Sequence, residues 1–117
     1  MYSGLIIKES ILNEQILDEI EVVDIALWKT DNKPKYWTAI SFTSDFEDFP
    51  EHLSNALHLS SESGMIWYVD MKDTVCKYIV LKDVVLKYHL GNEEEKRFVC
   101  EKCIALGVKR EQLDWLE

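Results

Sequence analysis

Apolar and polar residues alternate with the two-residue period of β-strands over several stretches of the chain. Residues 3–8 predict a short first strand. Residues 20–28 and 36–43 predict an antiparallel hairpin, because a turn signal at residues 31–34 separates them. Residues 65–89 predict three further strands in a meander, since short Lys-Asp joints interrupt the apolar pattern twice.

Two other segments carry apolar residues at helical spacing. Residues 11–17 predict a short helical turn that Ser10 would cap. Residues 45–59 predict a helix, because Pro50 suits a position in the first helical turn, where its missing N–H costs nothing.

The clearest helix signals lie near the C-terminal end of the sequence. Asn92 is a good N-cap, and Glu95 stands three residues later, where a capping box places its acid. Gly107 suits the position just after a helix end. These signals predict a helix over residues 92–106, followed by a last helical turn over residues 110–116.

Together these elements predict a single α+β domain that spans residues 1–117. The expected architecture is an antiparallel sheet of about five strands, made of the hairpin and the three-strand meander, with two main helices packed on one face. A chain of 117 residues is long enough to bury a hydrophobic core of its own.

Negative charge is concentrated in the first half of the chain. The formal net charge is −9, and residues 1–64 hold twelve acids against four bases. Residues 65–117 are nearly balanced, with ten acids and nine bases. Two windows, residues 9–24 and 44–63, contain acids but no lysine or arginine. This distribution favours a positively charged partner and disfavours nucleic acid or an anionic membrane.

The acidic windows supply the candidate binding residues. We expect the windows to meet in one surface that holds a basic protein partner, with neighbouring aromatic residues as anchors. The alternative is a solvated surface whose charge only keeps the protein soluble. The six chosen carboxylates are Asp18, Glu19, Glu21, Asp45, Glu47 and Asp48. The aromatic residues near the windows are Trp28, Tyr36, Trp37, Phe46 and Phe49.

Several classes of protein lack support in the sequence. No stretch approaches the about 20 apolar residues of a membrane span, and the first residues lack the pattern of a signal peptide. The odd number of cysteines argues against a disulfide scaffold. Neither a phosphate-binding glycine loop nor a nucleophile elbow is present. We therefore expect a cytoplasmic protein that is not an enzyme and needs no cofactor.

The leading hypothesis is a small acidic protein-interaction module. Its most concrete form is an inhibitor of a basic toxin that acts on nucleic acid. In size, acidity and mixed fold the chain is similar to bacterial immunity proteins, a resemblance of type that no family motif carries. The sequence leaves the oligomeric state open.

A small enzyme or ligand-binding domain is the first alternative. It would use a pocket between the sheet and the helices, and the polar lining expected for that pocket is Asp70, Tyr88 and His89.

A metal-binding module is the second alternative. Cys100 and Cys103 have the C-x-x-C spacing, and Cys76 and His89 would have to complete a site from two strands. The pair falls inside a predicted helix and not at its N-terminus, where the helix dipole would lower the thiol pKa. Buried core thiols are therefore the favoured interpretation, and no metal site is predicted.

Overall fold

The computed structural model describes residues 1–31, 35–113 and Trp115, and these residues form one antiparallel sheet with helices on it. The spatial strand order is β2-β3-β1-β4-β5-β6. The strands are β1 (Tyr2–Ile7), β2 (Glu21–Lys29), β3 (Tyr36–Ser44), β4 (Val69–Lys72), β5 (Cys76–Leu81) and β6 (Val84–His89). The α-helices are α1 (Phe49–Ala56) and α2 (Glu93–Ala105), and the 3-10 helices are Lys8–Ser10, Glu14–Glu19 and Arg110–Gln112.

The α+β class is confirmed, and the described sheet has six strands where about five were expected. The predicted hairpin is β2 with β3, and the predicted meander is β4, β5 and β6. The strand near the N-terminus joins these two units into one sheet, because it pairs with β3 on one side and β4 on the other. Of the predicted turn, residues 32–34 lie outside the described residues, as does part of the predicted last helical turn.

Gly4 lets β1 occupy the centre of the sheet. It lies opposite Phe42 on one side and Met71 on the other. A Cβ atom at this position would stand 2.6 Å from the carbonyl oxygen of Asp70 and 2.7 Å from the Cβ of Met71. Both distances are far below van der Waals contact, so the close approach of β1 to β4 requires glycine.

The two α-helices cover opposite faces of the sheet, and the expectation that both pack on one face is wrong. Val80 belongs to the core cluster that contains α1 residues, whereas Ile79 belongs to the cluster that contains α2 residues. Neighbours in a strand point to opposite faces. The physical reason is that β5 is buried at five of its six positions, so both of its faces need a cover.

The α1 side of the core includes Ile6, Phe42, Phe49, Leu53, Met71 and Val80. The α2 side includes Ile79, Leu81, Tyr88, Val99, Cys103 and Trp115. Tyr88 brings a hydroxyl group into the second cluster, where it accepts a hydrogen bond of 2.9 Å from the indole Nε1 of Trp115. The interface between the sheet and α2 is therefore filled with side chains.

The predicted helical turn at residues 11–17 is replaced by the 3-10 helix Glu14–Glu19. Its N-cap is Asn13, whose side chain accepts a hydrogen bond of 3.1 Å from the backbone N–H of Gln15. Ser10, the expected cap, donates to the carbonyl of Ile7 instead, at 2.6 Å. The chain changes direction between the 3-10 helices Lys8–Ser10 and Glu14–Glu19. The apolar spacing therefore reflects separate core contacts of Ile11 and Ile16, and not one α-helix.

Two other boundaries differ from the predictions. Helix α1 begins at Phe49 and not at residue 45, because residues 45 and 46 have no regular structure and residues 47 and 48 form a turn. Strand β4 begins only at Val69, although the alternation starts at residue 65. Ile66 forms an isolated bridge with Ser60, so this stretch folds back on its own loop before it joins the sheet.

The ends of α2 are fixed by the residues that the sequence singled out. The Asn92 side chain accepts from the backbone N–H of Glu95 at 3.0 Å, as an N-cap should. Glu95 differs from a capping-box acid, because its carboxylate accepts from the backbone N–H of His89 at 2.8 Å. Gly107 has a φ of +104°, and the N–H of Val108 reaches the carbonyl of Cys103 at 3.0 Å, which is a Schellman ending.

Within the described part of the chain, no helix combines the length and the apolar character that crossing a lipid bilayer requires.

The contact at Gly4 predicts a large effect of one added methyl group. Gly4→Ala should lower the free energy of unfolding by about 2 kcal/mol or more, since the overpacked atoms belong to backbone and to a buried Cβ. Denaturant unfolding of both proteins measures this. Gly64→Ala measures backbone strain without overpacking, because Gly64 has a positive φ and open space around it, and it should cost less, about 1 kcal/mol. Equal losses in the two variants would contradict a packing origin at Gly4.

Candidate functional site

Four of the six predicted carboxylates line one shallow hollow of about 260 Å³. Three chain segments meet there: the end of the 3-10 helix Glu14–Glu19, the start of β2 and the end of β3. Antiparallel pairing explains the meeting, because the start of β2 must face the end of β3, and Glu21 lies opposite Thr43. The four carboxylates are Asp18, Glu19, Glu21 and Asp45.

A buried serine links the two acidic windows at this hollow. The hydroxyl of Ser44 donates a hydrogen bond of 2.7 Å to the carbonyl oxygen of Glu19. The same oxygen atom of Ser44 accepts from the backbone N–H of Phe46 at 3.3 Å. These two bonds hold the first window against the second and fix the turn that carries Asp45 and Phe46.

Phe46 is an exposed ring among these carboxylates. It lines the hollow and keeps 51% of its surface accessible. Phe49, the other aromatic residue of this window, is fully buried in the core and is not available as an anchor. The hollow therefore offers negative charge around one exposed apolar ring.

Glu47 and Asp48 lie beyond Phe46 in a second hollow of about 380 Å³. Lys87 and the rings of Tyr2 and Tyr78 also line this hollow. The backbone carbonyl of Glu47 accepts a hydrogen bond of 3.0 Å from the Tyr2 hydroxyl. The six chosen residues thus divide between two hollows, and a lysine lines the second.

We call the first hollow, lined by Asp18, Glu19, Glu21 and Asp45, the acidic hollow. It keeps most of its negative charge. Among the described residues, no lysine or arginine forms an ion pair with any of the six carboxylates, and only Glu19 has a histidine partner, which is charged when protonated. Its Oε1 lies 2.9 Å from Nδ1 of His52 on α1. The hydrogen bond to Glu19 raises the pKa of His52 above its ordinary value, and the carboxylates of Asp48 and Glu51 act in the same direction.

A third concave site lies on the face of the sheet that α2 covers, next to Gln112 of the C-terminal segment. It has a volume of about 450 Å³ and is rich in aromatic side chains. Trp28 and Trp37 lie directly opposite each other on β2 and β3, and the ring of Trp37 contacts that of Trp67 with centroids 5.0 Å apart and the planes tilted by 59°. We call this site the tryptophan groove. Its lining includes Leu5, Ile7, Trp28, Trp37, Trp67, Tyr68, Asp70 and Gln112.

Asp70 is the only member of the predicted polar pocket that lies in the tryptophan groove. Its Oδ1 accepts a hydrogen bond of 2.8 Å from Nζ of Lys77, whose side chain is almost completely buried in β5. Tyr88 is buried under α2 and bonds to Trp115, whereas His89 is exposed and pairs with Glu95 at 3.0 Å. The three residues therefore do not converge, and the pocket that was predicted from them is wrong.

The indole N–H of Trp37 is buried and has no hydrogen-bond acceptor among the described residues. A buried donor without a partner costs about 1–3 kcal/mol.

Trp67 was not singled out in the sequence, because it lies thirty residues from Trp37 in a stretch that is not a regular strand. The alternation of residues 65–71 was the only signal, and it indicated a strand.

The three cysteines are free thiols inside or near the core. Burial raises the pKa of Cys103 to about 11 and also raises that of Cys100. Cys76 lies opposite His89 in the β5–β6 ladder. Within the described residues, no three His, Cys, Asp or Glu side chains are grouped closely enough to hold a metal ion. Cys103 is fully buried in the α2-side core and Cys100 packs against that core, as the core-thiol interpretation expects.

The ion pair between His52 and Glu19 predicts a pH dependence. Because the folded-state pKa of His52 is raised, its contribution to stability is fully present below the unfolded pKa near 6.5 and is lost as pH rises through the folded pKa. Glu19→Gln should lower the pKa of His52 toward 6.5, which an NMR titration of the ring protons measures. Glu14→Gln is the control, since Glu14 pairs with Lys8. An unchanged titration in Glu19→Gln would contradict the assignment.

Comparison with known proteins adds no relative to this geometry. No protein-family model matches the chain, and no similar protein was found among the curated proteins or the solved structures.

Proposed function

We propose that this protein is a small non-enzymatic interaction module that binds a basic protein partner through the acidic hollow. The observation that carries the proposal is the convergence of Asp18, Glu19, Glu21 and Asp45 around the exposed ring of Phe46. The hollow is open to solvent, so a lysine or arginine side chain of a partner can reach the carboxylates.

The charges and the ring contribute differently to binding. Unpaired carboxylates on one surface speed the encounter with a basic surface, and salt weakens this effect. A central aromatic ring that becomes buried supplies affinity through apolar contact and slows dissociation. The geometry combines both features within one patch that Ser44 holds together.

The specific form of the proposal is an immunity-like or antitoxin-like inhibitor that acts in the cytoplasm. A toxin that cleaves or binds nucleic acid must carry a basic surface, and an acidic protein can cover that surface by charge complementarity. The free thiols of Cys76, Cys100 and Cys103 fit a reducing compartment.

Neutralising the hollow should weaken binding of a basic probe. The triple variant Asp18→Asn, Glu21→Gln, Asp45→Asn should bind a Lys/Arg-rich peptide about tenfold more weakly, with a smaller salt dependence, because three charge contacts are lost. Titration calorimetry at two salt concentrations measures both. The matched control Glu93→Gln, Glu94→Gln, Glu101→Gln removes the same charge from α2, where the three acids are exposed.

The two triple variants separate a specific surface from the net charge. Equal weakening by both would show that only the overall charge matters, and the proposal would fail. Phe46→Ala should weaken binding while leaving the salt dependence unchanged, since the ring carries no charge. An effect of Phe46→Ala on the salt dependence alone would contradict its role as an anchor.

Small-molecule binding in the tryptophan groove is the second candidate function. The observation that favours it is a concave surface of about 450 Å³ walled by Trp28, Trp37 and Trp67 with the Asp70 carboxylate at its edge. Such a lining suits a flat ring that stacks on indole faces. The indole N–H signals of Trp28, Trp37 and Trp67 in an NMR titration report on this groove. Shifts confined to these signals, with none around Phe46, would favour this second function.

A further inference from the structure

The tryptophan groove carries negative charge in its lining. Asp70 and Glu111 line it, and among the described residues no lysine, arginine or histidine does. Asp70 is paired with Lys77, whose side chain is almost completely buried and is not part of the lining. Glu111 is exposed and forms no ion pair within the described part of the chain. Glu111 therefore gives the groove a carboxylate whose charge attracts a cationic ligand.

The aromatic rings of the groove are held in place by the fold. Trp28 keeps 43% of its surface accessible, so much of its indole is open to a ligand. Trp67 is almost completely buried, and its contact with Trp37 fixes both rings. The Tyr68 hydroxyl donates a hydrogen bond to the backbone carbonyl of Gln112, which ties this ring to the C-terminal segment. Because the rings are ordered before a ligand arrives, little conformational entropy is lost on binding.

This combination of rings and charge suits a particular kind of cation. The faces of aromatic rings attract cations, and tryptophan does so most strongly. A primary ammonium or a guanidinium group would bring several N–H donors, which lose their hydrogen bonds to water when they enter a mainly apolar groove. A nitrogen that carries no hydrogen avoids this loss. Its charge still interacts with the indole faces and with the Glu111 carboxylate.

We propose that the tryptophan groove binds a flat aromatic cation of the N-alkylpyridinium class. The ring stacks on Trp28, and its positive charge is balanced by Glu111. The volume of about 450 Å³ is that of a small-molecule site. This inference rests on the second candidate function, small-molecule binding in the groove, and names the ligand class. It is independent of the acidic hollow.

Two probes of nearly the same shape test the role of the charge. Nicotinamide methylated on its ring nitrogen is a pyridinium cation, and nicotinamide itself is the neutral counterpart. NMR titration measures both affinities through the indole N–H signals of Trp28, Trp37 and Trp67. The cation should bind about tenfold more tightly than the neutral probe. Added salt should weaken binding of the cation and leave that of nicotinamide unchanged.

Two variants separate the carboxylate from the ring. Glu111→Gln should weaken binding of the cation about threefold and leave nicotinamide unaffected, because only one charge at an exposed position is removed. Glu94→Gln is the matched control, since Glu94 is exposed and lines a different hollow beside α2. Trp28→Leu keeps an apolar side chain without a π face, and should weaken binding of the cation more than that of nicotinamide. Circular dichroism checks that each variant keeps its fold.

The outcomes distinguish the ligand class from the groove itself. Equal affinity for the two probes, or tighter binding of nicotinamide, overturns the inference and leaves small-molecule binding in the groove standing. If neither probe moves the indole signals at millimolar concentration, the inference and the second candidate function both fail. A cation that moves signals around Phe46 but not the indole signals binds the acidic hollow and also overturns the inference. So does equal weakening by Glu111→Gln and Glu94→Gln, because net charge alone would then explain the preference.

Discussion

The sheet depends on a central strand that has room for no side chain at one position. β1 bonds to β3 and to β4, and these two contacts are what unite the hairpin with the meander. Gly4 allows the backbone of β4 to approach where a Cβ would overlap the carbonyl oxygen of Asp70. Once β1 is in place, Ile6 enters the core on the α1 side and the two halves share one hydrophobic interior. A six-residue strand therefore joins the hairpin, which carries the acidic hollow, to the meander, which α2 covers.

Local patterns predicted the elements better than their arrangement. Asn92 and Gly107 end α2 where their backbone chemistry requires, because capping depends on neighbours in sequence. The division of the helices between two faces depends on β5, whose Lys77 suggests a wet face although its ammonium is buried against Asp70. Such a pair across strands carries no signature in either segment alone. The tryptophan groove was missed for the same reason, since Trp37 and Trp67 meet only in the folded sheet.

The hairpin of β2 and β3 carries two surfaces with opposite physical character. Where β2 begins, Glu21 lines the acidic hollow. Farther along β2, apolar side chains are exposed at the edge of the sheet. The meeting of the acidic windows could be predicted from the hairpin, because antiparallel pairing must bring residues near 21 and 43 together. The hydrogen bond from Ser44 to Glu19, which holds the two acidic windows together, could not be predicted, since serine is common in strands for many reasons.

The central position of β1 also shapes how the chain reaches its native state. The hairpin and the meander each consist of neighbours in sequence, so they can form early with little loss of chain entropy. The ladder between β1 and β4 joins residues near position 4 to residues near position 71, and it closes a loop that contains half of the molecule. Folding rates fall as such distant contacts come to dominate a topology. Insertion of β1 between two preformed units is therefore the expected slow step, and until it occurs β3 and β4 both expose edges to other chains.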